Sequence, residues 1–331
     1  MFPENTVIIL GAGASAEFGL PTGANLFQKL LKENPLGSQR EFMNGSNLSS
    51  YDLKSAIIKT FNMYSSDKFN NELFIKKAKK TFETSIDLFA YNNTSVLNAA
   101  KFFTCWHVGA SMIKCQKKPG RYGDYYDVWE YDSSWSLPYI EGKRNYIAEV
   151  AKKIVESSDG VSDISENLSV VSFNYDMIFE KSLGEFISSS DRYSDVKHLY
   201  MPNVQYVYGS IPFYENVQPQ FIAKDYEKIK FMMELSCNDI NIKNIREKVL
   251  SADYIYLLGF SLDPVNVELI GISESKAQKF SVCYDGNFET ISRLSKIGVD
   301  LDKNCLVGSE DAPIGLSKAA SLGLFSMHEF Q

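Results

Sequence analysis

Short apolar runs recur along the chain, and each ends in turn-forming residues. Val7-Ile8-Ile9-Leu10 runs into Gly11, residues 168–173 run into Asn174-Tyr175-Asp176, and residues 254–258 run into Gly259-Phe260-Ser261. Residues 280–284 lead into Asp285-Gly286, and 204–208, ahead of Gly209-Ser210, is a fifth candidate. Short, largely apolar runs rich in β-branched and aromatic residues and ending in turn chemistry are those of buried strands. Helical spacing lies between them, at 177–186, 226–235 and 265–272, and Ala16-Glu17-Phe18 reads as the first turn of a helix after the first strand. Strands alternating with helices predict an α/β protein built on a Rossmann-like parallel sheet with helices on both faces.

Residues 36–153 break this rhythm. They hold few strand-like runs, and 70–115 reads as two or three helices, one of them around Ile86-Asp87-Leu88-Phe89. The expected organisation is a Rossmann-like domain from 1–35 and 154–331, interrupted by a helical insertion at 36–153. Within the insertion, Tyr122, Tyr125, Tyr126, Trp129, Tyr131, Trp135 and Tyr139 cluster among Gly, Asp and Ser. Such a cluster packs a subdomain onto the sheet or walls a ligand.

The glycine-rich loop is the first chemical signal. Gly11-Ala12-Gly13-Ala14-Ser15 leaves the first strand, and Gly19-Leu20-Pro21-Thr22 follows. Glycines let a backbone approach a phosphate, and a helix N-terminus offers free N–H groups to it, so the loop reads as a dinucleotide site. The alternative is a plain strand-to-helix turn, since Ala16 stands at the third glycine of the dinucleotide fingerprint. A bulky residue at Gly13 is expected to block the nucleotide while sparing the fold. Ligands of open α/β sheets lie beyond the carboxyl ends of the strands. The residues there are Gly11 to Ser15, Asn174 to Asp176, Gly209-Ser210 and Gly259 to Asp263.

Composition narrows the classes. The chain has 331 residues, 44% hydrophobic and 23% charged, with 34 Lys and Arg against 41 Asp and Glu. A formal charge of −7 argues against general nucleic-acid binding. Lys76, Lys77, Lys79 and Lys80 form the strongest basic patch and read as the solvated face of a helix. No apolar run reaches the ~18 residues of a membrane span, and no basic segment opens a signal peptide, so a cytoplasmic protein is expected. Five cysteines, Cys105, Cys115, Cys237, Cys283 and Cys305, show no Cys-x-x-Cys spacing. Buried, reduced thiols and no metal site are expected.

In this order, four blocks resemble a prokaryotic sirtuin-like domain of the kind found in bacterial antiphage proteins that consume NAD. Gly11-Ala12-Gly13-Ala14-Ser15 with Gly19-Leu20-Pro21 is similar to the sirtuin opening, and Phe173-Asn174-Tyr175-Asp176 resembles its Asn-x-Asp block. Val207-Tyr208-Gly209-Ser210 resembles the His-Gly-Ser block, and Gly259-Phe260-Ser261 with Asp263 resembles the late glycine-serine block. The resemblance covers both ends of the chain and not the middle helices.

It implies an NAD site in which Gly11, Ala12, Gly13, Ser15, Pro21, Thr22, Gly209, Ser210, Gly259, Phe260, Ser261 and Asp263 contact the nucleotide. Asn174 lies near the nicotinamide ribose and helps cleave the glycosidic bond, and Asp176 holds the ribose or orients Asn174. As a plain structural residue, Asp176 would instead cap the following helix. Two departures matter. Tyr208 stands where the family has its histidine base, and a tyrosine titrating near ~10 is a poor base at neutral pH. Of the three histidines, His107, His198 and His328, His107 in the insertion could reach into the cleft, but a lone helix histidine reads rather as a satisfied or exposed residue, so the base is unassigned. The cysteines of the zinc ribbon of protein-deacylating sirtuins are also missing, which favours hydrolysis of free NAD. The resemblance therefore implies an NAD glycohydrolase in antiphage defence, partnered by NAD or a related nucleotide and by further copies of itself or another defence protein. The alternatives are a degenerate module that binds NAD or ADP-ribose to regulate a partner, and a structural domain whose glycine loop only turns.

Overall fold

The computed structural model describes residues 2–32, 71–81, 83, 85–115, 145–156, 167–188, 201–212 and 225–330. Six strands form one sheet: β1 (Thr6–Leu10), β2 (Leu168–Ser172), β3 (Asn203–Tyr206), β4 (Tyr254–Leu258), β5 (Gln278–Cys283) and β6 (Cys305–Val307). Their order is β3-β2-β1-β4-β5-β6, and every neighbouring pair is parallel. This is the doubly wound order of a Rossmann-like sheet. The chain runs outward from β1 to β3, crosses back to β4 on the other side of β1 and runs outward again to β6, and right-handed crossovers put helices on both faces. All residues of β1 and β2 are buried, which is why they read as continuous runs. Ile8, at the middle of the sheet, lies in register with Val170 on one side and Tyr256 on the other.

Helix α1 (Ala12–Ala16) follows β1 directly. Then come α2 (Gly23–Lys32), α3 (Asn71–Ala78), α4 (Ile86–Asn92), α5 (Leu97–Cys115) and α6 (Tyr146–Glu156). After β2 the helices are α7 (Ile178–Ser188), α8 (Ile240–Ser251), α9 (Pro264–Ile270), α10 (Phe288–Lys296) and α11 (Leu316–Ser321). No helix among the described residues is long and apolar enough to cross a membrane.

The chain forms two compact units. One comprises Met1–Phe18, Ile140–Val207 and Leu235–Gln331 and holds the sheet; the other comprises Gly19–Tyr139 and Tyr208–Glu234. The second unit has its own aromatic core. Phe27, Phe74, Phe89 and Phe103 are buried, and Phe74 lies 5.8 Å from Phe89 and 5.9 Å from Phe103. Each buried side chain of this size contributes roughly 1.5–3 kcal/mol. Lys76, Lys79 and Lys80, at the end of α3, are exposed. The aromatic stretch 122–139 and His198 lie outside the described residues.

Three local expectations are corrected. The first helix starts at Ala12, inside the glycine loop, and not at Ala16. Its small residues tolerate the helix, and the chain turns after Ala16. Residues 226–235 form two 3-10 turns, Tyr226–Lys228 and Met232–Glu234, in place of one helix. The Lys230 N–H donates to the Tyr208 carbonyl (2.8 Å) and the Phe231 N–H to the Glu234 carboxylate (2.8 Å), so neither is left for an i to i−4 ladder. Strand β3 stops at Tyr206, and Tyr208 stands in a bend beyond it.

Candidate functional site

At the point where strand order reverses, the loops leaving β1 and β4 lie backbone against backbone. Gly11 N donates to Leu258 O (3.0 Å) and Gly13 N to Gly259 O (2.9 Å), while Ala14 N closes a turn onto Gly11 O (2.8 Å). The N–H groups of Gly11, Gly13 and Ala14, in the loop read as a dinucleotide site, are thus already engaged within the protein. The glycines are required by this contact. A Cβ on Gly11 would stand 2.5 Å from Gly259 O, and one on Gly13 would stand 2.9 Å from Gly259 Cα. Gly259 itself has φ +59°, and its Cβ would meet Ala14 N at 2.0 Å. The space a side chain would take at Gly13 is therefore filled by backbone, which overturns the expectation that bulk there spares the fold.

Beside this contact, Ser15 of α1 meets the loop that leaves β2. Phe173 N still pairs with Leu10 O (2.9 Å), so the residue after it, Asn174, emerges next to α1. The Asn174 amide donates from Nδ2 to Ser15 Oγ (2.9 Å), and Ser15 Oγ donates to Asp176 Oδ1 (3.0 Å). All three side chains are buried. Asp176 Oδ1 also accepts the Ile178 N–H (3.2 Å) at the start of α7. Asp176 therefore binds a helix-end N–H and holds Ser15 together. Asn174 Oδ1 is buried and has no hydrogen-bond partner among the described residues. An unpaired buried carbonyl costs about 1–3 kcal/mol. It is the acceptor this cluster has available for a ligand.

The electrostatics around Asp176 are acidic. Burial raises its carboxyl from 3.8 to about 6, against the opposing hydrogen bonds from Ser15 and the Ile178 N–H. Burial, then Asp176 and Glu17, push the Tyr146 hydroxyl up; burial, then Glu180 and Asp176, do the same to Tyr206. Tyr206 donates to Glu180 Oε2 (3.2 Å). An acid titrating near 6 sits close to the range useful for general acid–base work.

This shift has a consequence for stability. Between about pH 4 and about pH 6 the folded chain holds a proton at Asp176 that the unfolded chain has released, so stability falls as pH rises through that window. Asp176→Asn keeps an oxygen for Ser15 and Ile178 and removes the buried charge. The variant is expected to be more stable than the parent above about pH 6, by up to about 3 kcal/mol, with the advantage vanishing towards about pH 4. Urea midpoints at about pH 4 and about pH 8 check this; an advantage independent of pH would count against the buried charge.

The remaining residues of the late block serve the loop's own geometry. Phe260 packs on Phe173 with ring centroids 4.7 Å apart. Ser261 O accepts from Arg293 Nη1 (3.2 Å), and Asp263 caps α9 through the Val265 N–H (2.9 Å). Pro21 and Thr22 precede α2, where Thr22 Oγ1 accepts the Asn25 N–H (3.3 Å). In the second unit Gly209 has φ +75°, and a Cβ there would stand 2.2 Å from Lys228 O. Tyr208 is buried and Ser210 half-buried. His107 lies against Phe103, ring centroids 4.3 Å apart, and His328 Nδ1 pairs with Tyr256 in the first unit (2.8 Å).

Sequence reasoning gave Ser15 to the pyrophosphate and missed it as the bridge between Asn174 and Asp176. Glu17 was missed too: its carboxylate accepts the Ser317 N–H (3.1 and 3.2 Å) and anchors α11. The one available signal was a hydroxyl two residues before a carboxylate in the otherwise apolar Ala14-Ser15-Ala16-Glu17-Phe18, and it does not say what either meets. Cys105, Cys283 and Cys305 are buried free thiols, whereas Cys237 is exposed, against the expectation of burial. Among the described residues, no three His, Cys, Asp or Glu side chains converge as a metal ligand set.

No protein-family model matches the chain, and no curated protein sequence matches it. Among solved structures it is similar to a Sir2 homologue mutant in complex with ADP-ribose, at 11% identity and TM-score 0.41, over 98% of this chain and 92% of that one. A second Sir2 homologue mutant with ADP-ribose matches at 11% identity and TM-score 0.38, over the same shares of the two chains. A Sir2 homologue in complex with NAD matches at 10% identity and TM-score 0.38, over 98% of this chain and 90% of that one.

Proposed function

We propose that this chain binds NAD and hydrolyses it to nicotinamide and ADP-ribose, in the antiphage setting that its four sirtuin-like sequence blocks imply. The observation that carries the proposal is the buried Asn174–Ser15–Asp176 cluster with its uncommitted Asn174 carbonyl, next to the switch point of a Rossmann-like sheet. Departure of nicotinamide builds positive charge at the ribose. A fixed carbonyl dipole and a nearby carboxylate stabilise that charge without reorganising when it forms. Asn174 takes a ribose hydroxyl or the attacking water as a donor to Oδ1. Water then adds at the sugar carbon, and its proton leaves to a base. The test is incubation of the purified chain with NAD, followed by chromatography of nicotinamide and ADP-ribose. Neither product appearing, with or without candidate activators, would refute hydrolysis.

Tyr208 favours a second reading, in which the chain holds NAD or ADP-ribose without turnover and regulates a partner. Calorimetry with NAD separates the two, since tight binding with no product after hours supports the regulatory module. For the hydrolase, Tyr208→Phe is expected to leave turnover within a few-fold, because the side chain is buried beyond the end of β3 and its hydroxyl is a weak base. A loss of about 10²–10⁴-fold with NAD binding intact would make Tyr208 a proton relay.

A further inference from the structure

Asp176, Ser15 and Asn174 form a chain of hydrogen bonds whose direction is set from one end. An ionised carboxylate only accepts. Ser15 must therefore turn its single proton to Asp176 Oδ1, 3.0 Å away, and offer lone pairs to Asn174. Only the amide nitrogen of Asn174 can answer a lone pair, and Nδ2 stands 2.9 Å from Ser15 Oγ. The carbonyl is then forced into the other position, where Oδ1 is buried and unpaired. Among the described residues nothing else at Asn174 imposes this choice: its backbone N–H goes to Ser172 Oγ (3.2 Å) and says nothing about the side-chain amide.

We propose that the charge of Asp176, relayed by Ser15, locks Asn174 with its amide nitrogen inward and its carbonyl kept for the ligand, and that protonating Asp176 loosens this lock. Ser15 and Asp176 are then positioning residues acting through Asn174. The identity of the ligand rests on the NAD reading, but the lock does not. Once Asp176 is neutral, the charge-assisted bond from Ser15 falls to an ordinary one, and the hydroxyl is free to donate to Asn174 instead. Asn174 then turns its amide nitrogen outward in part of the population, presenting a donor where a ligand hydroxyl needs an acceptor. The groups coupled to Asp176 are Tyr146 on α6 and Tyr206 on β3, and those two hydroxyls in turn face Glu17 beyond α1 and Glu180 on α7. They are acids and phenols, so they add negative charge or none. Burial raises the Asp176 carboxyl to about 6, which puts the loosening at mildly acidic pH.

The test follows the ligand-free full chain by NMR from about pH 5 to about pH 8, reading the Asp176 side-chain carboxyl and the Asn174 side-chain amide, the latter assigned with Asn174→Ser. Both signals are expected to move with one shared midpoint near pH 6. In Ser15→Ala, Asp176 should still titrate while Asn174 no longer follows it, and in Asp176→Asn the Asn174 transition near pH 6 should vanish. An Asn174 signal that stays flat overturns the proposal, as does one that follows Asp176 equally well without the Ser15 hydroxyl. Asp176→Asn serves the same purpose if Ser15→Ala does not fold, since an Asn174 transition that survives it also overturns the lock.

A second arm titrates NAD by calorimetry at the two ends of the same pH range. Affinity is expected to fall roughly tenfold towards acid in the parent chain and to be flat in Ser15→Ala, from the loss of one charge-assisted bond. An equal fall in Ser15→Ala overturns the link between lock and ligand. Resonances that behave as expected in a chain that never binds NAD leave the lock standing and refute the NAD reading instead.

Discussion

Gly13→Val is expected to unfold the loop around which the sheet is organised, and not merely to block a ligand. The new Cβ would lie 2.9 Å from both Gly259 Cα and Gly259 O, and backbone atoms of a neighbouring strand end cannot step aside as a flexible side chain can. The isopropyl group would also compete with the Gly13 N to Gly259 O hydrogen bond that joins the β1 and β4 loops. Overpacking against side chains typically destabilises by about 1–3 kcal/mol. A clash against backbone at the centre of the sheet belongs to the severe class, above about 4 kcal/mol. The variant is therefore expected to be insoluble or to show a urea midpoint far below the parent, with circular dichroism reporting lost structure. A soluble Gly13→Val chain with the parent's midpoint and no NAD affinity would restore the opposite view, in which the glycine leaves room for pyrophosphate.

Asn174→Ala is expected to do the reverse, sparing the fold and stopping the chemistry. The substitution removes one bond to Ser15, which keeps its partner Asp176, and it also removes the buried carbonyl that had no partner. These two changes oppose each other, since a satisfied hydrogen bond contributes about 1 kcal/mol and an unpaired buried acceptor costs about the same or more. Stability should stay within about 1 kcal/mol of the parent. Nicotinamide release at saturating NAD should drop by about 10²-fold or more, the scale seen when one preorganised dipole is taken from a site of developing charge. Thermal melts and product chromatography on the same preparation check both halves. Release that survives the substitution removes Asn174 from the reaction.

These two outcomes differ although both residues were picked from the same kind of evidence, a small or polar residue just after an apolar run. The difference lies in what each meets across the sheet. Gly13 meets the backbone of a residue 246 positions later in the chain, whereas Asn174 meets a side-chain hydroxyl. No local pattern distinguishes a glycine needed by a neighbouring strand from one needed by a phosphate.

The apolar runs at β1, β2, β4 and β5 were legible because strands covered on both faces are dominated by apolar residues, with Ser169, Ser172, Lys279 and Ser281 as polar exceptions, and their alternation with helices was enough for a parallel α/β sheet. β6, Cys305–Val307, has three residues and offers no run to read. Residues 226–235 carry helical spacing and still form two short turns, because Tyr208 and Glu234 take the N–H groups a helix would need. The early start of α1 is a similar case: glycine and alanine are permitted in many conformations, and the surroundings choose among them. By itself the sequence determined the strand cores, the parallel class and the polar residues that leave the strand ends. Only the tertiary structure decided the β3-β2-β1-β4-β5-β6 order and the backbone contact of Gly11 and Gly13 with Gly259. It also decided the raised carboxyl of Asp176 and the unpaired carbonyl of Asn174. The physical reason is that apolar periodicity is a property of neighbouring residues, whereas burial of a charge and close approach of two backbones depend on segments more than a hundred residues apart.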